Sequence, residues 1–392
     1  MRSRTTLGTP FRWGRGRTLA VVLAGLLAAV TAAGCGSGGI SGDTGNTAPH
    51  VNASGPVKGE LTISQWPLYI DPGKDGTVAE FERQTGVDVK YVEDINDNSE
   101  FFSKMQPLLA QGQTGGRDII TVSDWLAKRM YDLGYLYKLN KSQLPNVEKN
   151  LIPQLRHPPA DPNRDFTVPW QAGMTGLIVN TDLAPNVTSI CDLFDPQYKG
   201  KVTMLTELRD SVPMTLKCQG IDPEKATEAQ WMAAVDKIKQ EKDNGQIRAF
   251  TGNDYIRGLS NGDIAIALGW SGDAVQLQAD NPNIKFVMPS EGCMFWSTSM
   301  EIPQGAPDPQ AAQKFINYVY DPQHQAQIAA WVKYVTPVAG VKQIFEKTDP
   351  ELANNQLIFP SPEYTKNCTY EPVLAGPMGD RITKAFEQVI TG

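Results

Sequence analysis

The sequence predicts an α/β protein built as two lobes. Three observations carry that reading. Short β-branched runs alternate with amphipathic helical patterns from Leu61 onward. A second series of the same kind starts near Gly176. The 392 residues, 41% hydrophobic and 20% charged, have ordinary globular composition, enough for two domains of moderate size. Such strand–helix succession implies a mostly parallel sheet with helices on both faces.

The first 34 residues stand apart from this pattern. Arg2, Arg4, Arg12, Arg15 and Arg17 precede the apolar run LAVVLAGLLAAVTAA, residues 19–33. Its length and small-residue end suit a secretory signal rather than a membrane span. Ala32-Ala33-Gly34-Cys35 resembles the lipobox of bacterial lipoproteins, with Ala32 where leucine is usual. The resemblance implies cleavage before Cys35 and lipidation of its thiol. A plain signal peptide ending near a cysteine is the alternative, and no Arg-Arg pair points to twin-arginine export. Residues 35–59, rich in Gly, Ser, Asn and Pro, cannot bury a core and read as a flexible tether. Loss of residues 1–34 takes five arginines and no acidic residue from a formal charge of −7, which leaves −12. An acidic surface of that size argues against nucleic acid and against binding anionic lipid through basic patches.

In the first series, LTISQW (61–66), VDVKYVE (87–93) and DIITVS (118–123) read as strands. GTVAEFERQTG (76–86), SEFFSKMQPLLAQG (99–112) and SDWLAKRMYDLG (123–134) read as helices, two of them stopped by Gly86 and Gly134. The second series has strands at GLIVNT (176–181), KVTML (201–205), IRAF (247–250), DIAIALGW (263–270) and IKFVM (284–288). Its clearest helix is EAQWMAAVDKIKQEK (228–242). Helical patterns recur over 310–320, 323–334 and 380–390. Lobe 1 is expected over 60–170 plus about 299–335, and lobe 2 over 171–298 plus about 336–392.

With Cys35 set aside, Cys191, Cys218, Cys293 and Cys368 remain. An even number in an exported chain suggests disulfides, and the spacings do not suit zinc. Three pairings are possible. Cys191–Cys218, which closes a short loop, and Cys293–Cys368 are favoured, with free buried thiols as the alternative.

Ligands of open α/β sheets bind beyond the carboxyl ends of the strands. Here those ends are Trp66, Ser123, 204–207, Trp270 and 289–296. No catalytic set gathers there. His50, His157 and His324 have no partner at metal-ligand spacing, and GWSGD (269–273) has Asp273 where a nucleophile elbow needs its last glycine. Gly73-Lys74 lacks the upstream glycine of a phosphate loop. No enzyme activity, metal or cofactor is expected, and an exported α/β hydrolase is the rival class. The strand-end residues share a different chemistry: Trp66, Tyr69, Trp125, Trp270 and Trp296 are aromatic, Glu207 and Asp210 acidic. Aromatic faces attract organic cations and cover their methylenes, while carboxylates hold the charged ends.

The same segments resemble the substrate-binding lipoproteins of spermidine/putrescine ABC transporters, within the bacterial extracellular solute-binding proteins. The likeness runs from about Leu61 to about Gly340. It is carried by SQWPLYIDPG (64–73), DIITVSDWLAKRM (118–130), DFTVPWQAGMTGLIVN (165–180), LTELRDSV (205–212), GDIAIALGWSGDA (262–274), EGCMFWSTSMEIP (291–303) and KYVTPVAG (333–340). It implies a two-lobe, type II periplasmic-binding-protein-like fold with a hinged inter-lobe cleft. By position, the family's cage falls on Trp66, Tyr69, Ser123, Trp125, Glu207, Asp210, Trp270, Trp296 and Tyr334. The implied partners are a polyamine and an ABC permease with its ATPase, and the implied setting is the outer face of the cytoplasmic membrane, reached by the lipid anchor. A monomer is expected. Pro67-Leu68 stands where the family often has Thr-Glu, and Trp125 where it usually has Tyr. Thr298, which would offer a hydroxyl, stands where polyamine binders carry an Asp. A different organic cation or a zwitterion is therefore the alternative ligand.

Glu207 and Asp210 have two readings. Acids in the first turn of a helix stabilise it, and Asp210 with Ser211 could cap a helix beginning at Val212-Pro213. Both acids could also face the cleft, with Arg209 holding one of them in place.

Overall fold

The computed structural model describes residues 57, 59–374 and 376–392. The expected signal segment, Cys35 and the tether up to residue 56 lie outside the described residues.

Among the described residues ten strands form one sheet. They are β1 (Glu60–Gln65), β2 (Asp88–Glu93), β3 (Ile119–Ser123), β4 (Val168–Asn180), β5 (Val202–Leu205), β6 (Ile247–Thr251), β7 (Ile266–Trp270), β8 (Ile284–Val287), β9 (Met294–Glu301) and β10 (Thr369–Tyr370). Their order is β2-β1-β3-β9-β4-β7-β5-β6, with β10 beside β9 and β8 beside β4. At the two ends the pairs β1–β2, β1–β3, β5–β6 and β5–β7 are parallel. Helices Thr77–Thr85 and Asn98–Leu109 supply the crossovers on the first side, as parallel pairing requires.

The middle departs from a mostly parallel sheet. β4 runs antiparallel to β7, β8 and β9, and β9 antiparallel to β3. β8 pairs with the Leu177–Asn180 end of β4 and β9 with its Val168–Thr175 stretch, so after the turn over 288–293 β9 continues in the direction of β8. All thirteen residues of β4 are buried. β9 has no apolar alternation to announce it: Ser297, Thr298, Ser299 and Glu301 are buried polar residues, tied to the site and to Asp124.

Two apolar clusters lie on either side of this middle. The first joins Leu61, Phe81, Ile119, Trp170, Phe315 and Ile328. The second joins Leu177, Val202, Val212, Trp231, Leu268 and Phe386. Trp270 and Phe286 pack against both. Val338, Val341, Phe345 and Leu357 belong to the first cluster. The favoured cysteine pairs form: Cys191–Cys218 and Cys293–Cys368, the latter fastening the start of β9 to the segment entering β10. One helix start differs from expectation. Helix Leu208–Cys218 begins at Glu207, whose carboxylate accepts from Arg209 N at 3.1 Å, and Pro213 lies inside it. Asp210 and Ser211 are therefore helical residues rather than its cap.

Candidate functional site

Nine of the ten residues expected at the site line one cleft: Trp66, Tyr69, Ser123, Glu207, Asp210, Trp270, Trp296, Thr298 and Tyr334. Short-range packing explains how they meet. Trp66 leaves the end of β1 with its Nε1 donating to Thr121 O at 3.0 Å. Its ring meets Trp270 edge-on at 6.3 Å, and Trp270 meets Trp296 in the same way at 6.3 Å. Gly173 makes room for Trp296, since a Cβ there would lie 2.5 Å from the indole. Gly272 does the same beneath the ring of Tyr334. Tyr69 and Tyr334 close the row at 5.5 Å, and Tyr69 OH shares a hydrogen bond with Thr298 Oγ1 at 3.3 Å.

The acids are held from the walls. Asp210 accepts from Thr175 Oγ1 at 2.7 Å and from Trp270 Nε1 at 3.0 Å. Trp296 Nε1 donates in turn to Thr175 Oγ1 at 3.0 Å. Glu207 uses one oxygen to cap its helix and receives Asn98 Nδ2 at 3.4 Å on the other. Asn98 also bonds Ser123, donating to its Oγ at 3.0 Å and accepting from its backbone N–H at 3.1 Å. Both readings of this acid thus apply to the same side chain.

The sequence reading missed several lining residues, among them Asn98, Asn253, Asp273 and Glu371. Asp273 accepts from Tyr334 OH at 2.6 Å, Tyr255 OH at 2.6 Å and Asn253 Nδ2 at 2.8 Å. Its signal was its misfit in GWSGD. Glu371 follows β10, with its N–H on Phe295 O at 2.8 Å. It reaches the cleft because the Cys293–Cys368 bond carries its strand there.

Trp125 is not in the lining. It is buried under Arg209, whose guanidinium carbon lies 3.5 Å from the ring centroid, and with Arg209, Arg129 and Phe386 it borders a second cavity on the far side of Glu207. The indole presents its face to the arginine rather than to the cleft.

Burial dominates the electrostatics. It pushes the Asp210 carboxyl up to about 7, helped by the neighbouring charge of Glu207. Glu207 is also raised by burial, against the pull of Arg209. Glu371 is raised well above the usual carboxylate range by burial and by Glu207 and Asp210. Burial raises Asp273 as well. A cleft that withholds water from four carboxylates leaves each short of positive charge, and aromatic walls suit the alkyl part of a cation. The serine of GWSGD stands away from the cleft: Ser271 is fully buried, with its Oγ accepting from Met174 N at 3.2 Å. Among the described residues no His, Cys, Asp or Glu cluster has the arrangement to hold a metal ion.

Two α/β halves joined through antiparallel middle strands, with an aromatic and acidic cleft at their strand ends, define a two-lobed solute-binding protein of the periplasmic-binding type. The chain belongs to the bacterial extracellular solute-binding protein family, whose sequence model matches residues 76–360. It is 30% identical over 310 residues to the spermidine/putrescine-binding periplasmic protein of Escherichia coli K12, covering 78% of this chain and 85% of that protein. Identity to the putrescine-binding periplasmic protein PotF of the same organism is 30% over 354 residues, covering 85% and 91%. Among solved structures, the spermidine/putrescine ABC transporter substrate-binding protein PotD from Streptococcus pneumoniae superposes with a TM-score of 0.69 at 25% identity, covering 84% of this chain and 98% of that one. The family consists of solute-binding proteins rather than enzymes, and these relatives are named as periplasmic. No described helix is long and apolar enough to cross a membrane.

Proposed function

We propose that this protein is the exported substrate-binding component of an ABC importer and that it takes a polyamine of the putrescine or spermidine type into its cleft. One observation supports this most: four carboxylates, three buried and Glu207 nearly so, and five aromatic rings face a single cleft. Glu207, Asp210 and Glu371 hold ammonium groups. Trp66, Trp270 and Trp296 cover the methylene stem. Ser123, Tyr69, Thr298 and Tyr334 offer hydroxyls. The two apolar clusters support a reading as two lobes that close about the strands β4 and β9. The packing of Val341, Phe345 and Leu357 favours keeping that segment with the first lobe. Cys35 tethers the protein by lipid to the outer face of the cytoplasmic membrane, and closure presents a changed surface to the permease. The protein acts as a monomer.

A second reading keeps the fold and changes the guest. Thr298, a neutral residue hydrogen-bonded to Tyr69, faces the cleft where a further acid would favour another ammonium. A less charged cation or a zwitterion would suit that end.

Calorimetric titration and thermal melts of the purified protein against polyamines, amino acids, betaines and sugars test both readings, because a ligand that binds only the folded state raises the melting temperature. Binding of polyamines with a rise in melting temperature supports the first. A response confined to a zwitterion supports the second, and no response to any cation or zwitterion removes both.

A further inference from the structure

Arg209 is the one guanidinium bordering the carboxylates of the cleft among the described residues, and it does not line the cleft itself. It lies behind Glu207, with Nη1 3.5 Å from Oε1. Its plane rests on Trp125 at 3.5 Å. The side chain is only 8% exposed, and its Nε has no hydrogen-bond partner. A guanidinium stacked on an indole and this little exposed has little freedom to swing away. Its two contacts come from different parts of the fold. Trp125 belongs to helix Asp124–Asp132 in the first apolar cluster, and Arg209 to helix Leu208–Cys218, which packs in the second.

We propose that Arg209, seated on Trp125, is a built-in cation of the binding site that lowers by one the number of positive charges the ligand must bring, and so sets which polyamine is preferred. The inference rests on the polyamine reading above. Glu207, Asp210 and Glu371 line the same cleft close enough for their charges to act on one another, and without Arg209 these three carboxylates have no fixed counter-charge. A ligand competes with this internal cation for the same oxygens. Removing the guanidinium raises the demand for ligand charge, so a triamine gains relative to a diamine. Trp125 acts through Arg209 as a positioning residue and touches no ligand.

Calorimetry with putrescine, spermidine and spermine tests this in wild type, Arg209→Gln, Arg209→Lys, Trp125→Leu and Trp125→Phe. The readout is the ratio of diamine to triamine Kd, which a merely structural role would leave unchanged. In Arg209→Gln the ratio is expected to rise on the order of tenfold toward the triamine. Trp125→Leu moves it in the same direction by unseating the guanidinium. Arg209→Lys and Trp125→Phe keep the wild-type ratio, because the charge or its platform remains. Equal weakening of all three amines in Arg209→Gln overturns the proposal. If that variant does not fold, the ratio in Trp125→Leu decides by the same criterion. Absence of binding by the wild type overturns the ligand class itself and this proposal with it, whereas binding with an unmoved ratio overturns this proposal alone.

Discussion

The indole nitrogen of Trp270 donates to Oδ2 of Asp210 at 3.0 Å, while Thr175 Oγ1 holds the other oxygen at 2.7 Å. Wall and anion are therefore one unit: the ring that would cover a ligand's stem also aims the carboxylate that would meet its ammonium. The bonds do not offset the cost of burial, which raises the Asp210 carboxyl from 3.8 to about 7. A carboxyl whose folded pKa lies above its unfolded value binds its proton in the native state over a window where the unfolded chain has lost it. Its contribution to stability is therefore greatest at low pH and falls as pH rises from about 4 to about 7. Burial moves Glu207, Glu371 and Asp273 in the same direction. The ligand-free protein should melt at a lower temperature near pH 8 than near pH 5, and a saturating polyamine should remove most of that difference. Calorimetric scans at the two pH values, with and without ligand, check this. A ligand-free melting temperature that rises with pH over this range would count against a site of underpaired acids.

Asp210→Asn removes the charge and keeps the shape. The variant should be more stable than wild type without ligand near pH 8, because no buried anion remains. Its affinity for a diamine should drop on the order of ten- to a hundredfold, the worth of one charge-assisted hydrogen bond of about 1.5–3 kcal/mol. Melts and titrations on one preparation measure both. A loss of stability together with affinity would show that the carboxylate serves the fold rather than the ligand.

Much of this site could be read from the chain, and the parts that could not have physical reasons. Trp66, Trp270 and Glu207 stand at the ends of strands whose apolar runs are visible, so the strand-end rule finds them. β9 is invisible to that rule because Ser297, Ser299 and Glu301 are buried facing Asp124 and Val122 N rather than apolar neighbours. Trp125 has the right residue type at a strand end and still faces Arg209, because it is the second residue of helix Asp124–Asp132 and its ring packs against the guanidinium rather than into the cleft. Glu371 carries no local signal at all; a disulfide between residues 75 apart brings it in. Periodicity reports which face an element buries, not which distant segment a covalent bond delivers to it.

Thr298→Asp tests the missing acid directly. Residue 298 lines the cleft beside Tyr69, and a carboxylate there would add an anionic partner without disturbing Glu207 or Asp210. Affinity for spermidine should rise on the order of tenfold, by the same charge-assisted term. The gain should shrink near pH 5, where burial at this position keeps the new acid protonated. Titrations at two pH values distinguish this from a steric effect, which would weaken every amine at both.

The two disulfides should separate stability from binding. In the chain-entropy account, Cys191–Cys218 and Cys293–Cys368, with sequence separations of 27 and 75, contribute about 3.5 and about 4.5 kcal/mol. Replacing Cys191 and Cys218 together by serine should lower the denaturation midpoint and leave polyamine affinity unchanged, since neither lines the cleft. Replacing Cys293 and Cys368 should cost somewhat more stability and also weaken binding severalfold. That bond joins β9 to β10 immediately before Glu371, and β10 has only two residues to hold its register without it. Urea midpoints and titration on both double variants measure the contrast. The second variant should further lose part of its affinity difference between Glu371 and Glu371→Gln, because a carboxylate no longer held over the cleft has less binding energy to forfeit. Equal affinities in the two double variants would mean that Glu371 is positioned by its backbone bond to Phe295 alone, and the covalent delivery of this acid would have to be given up.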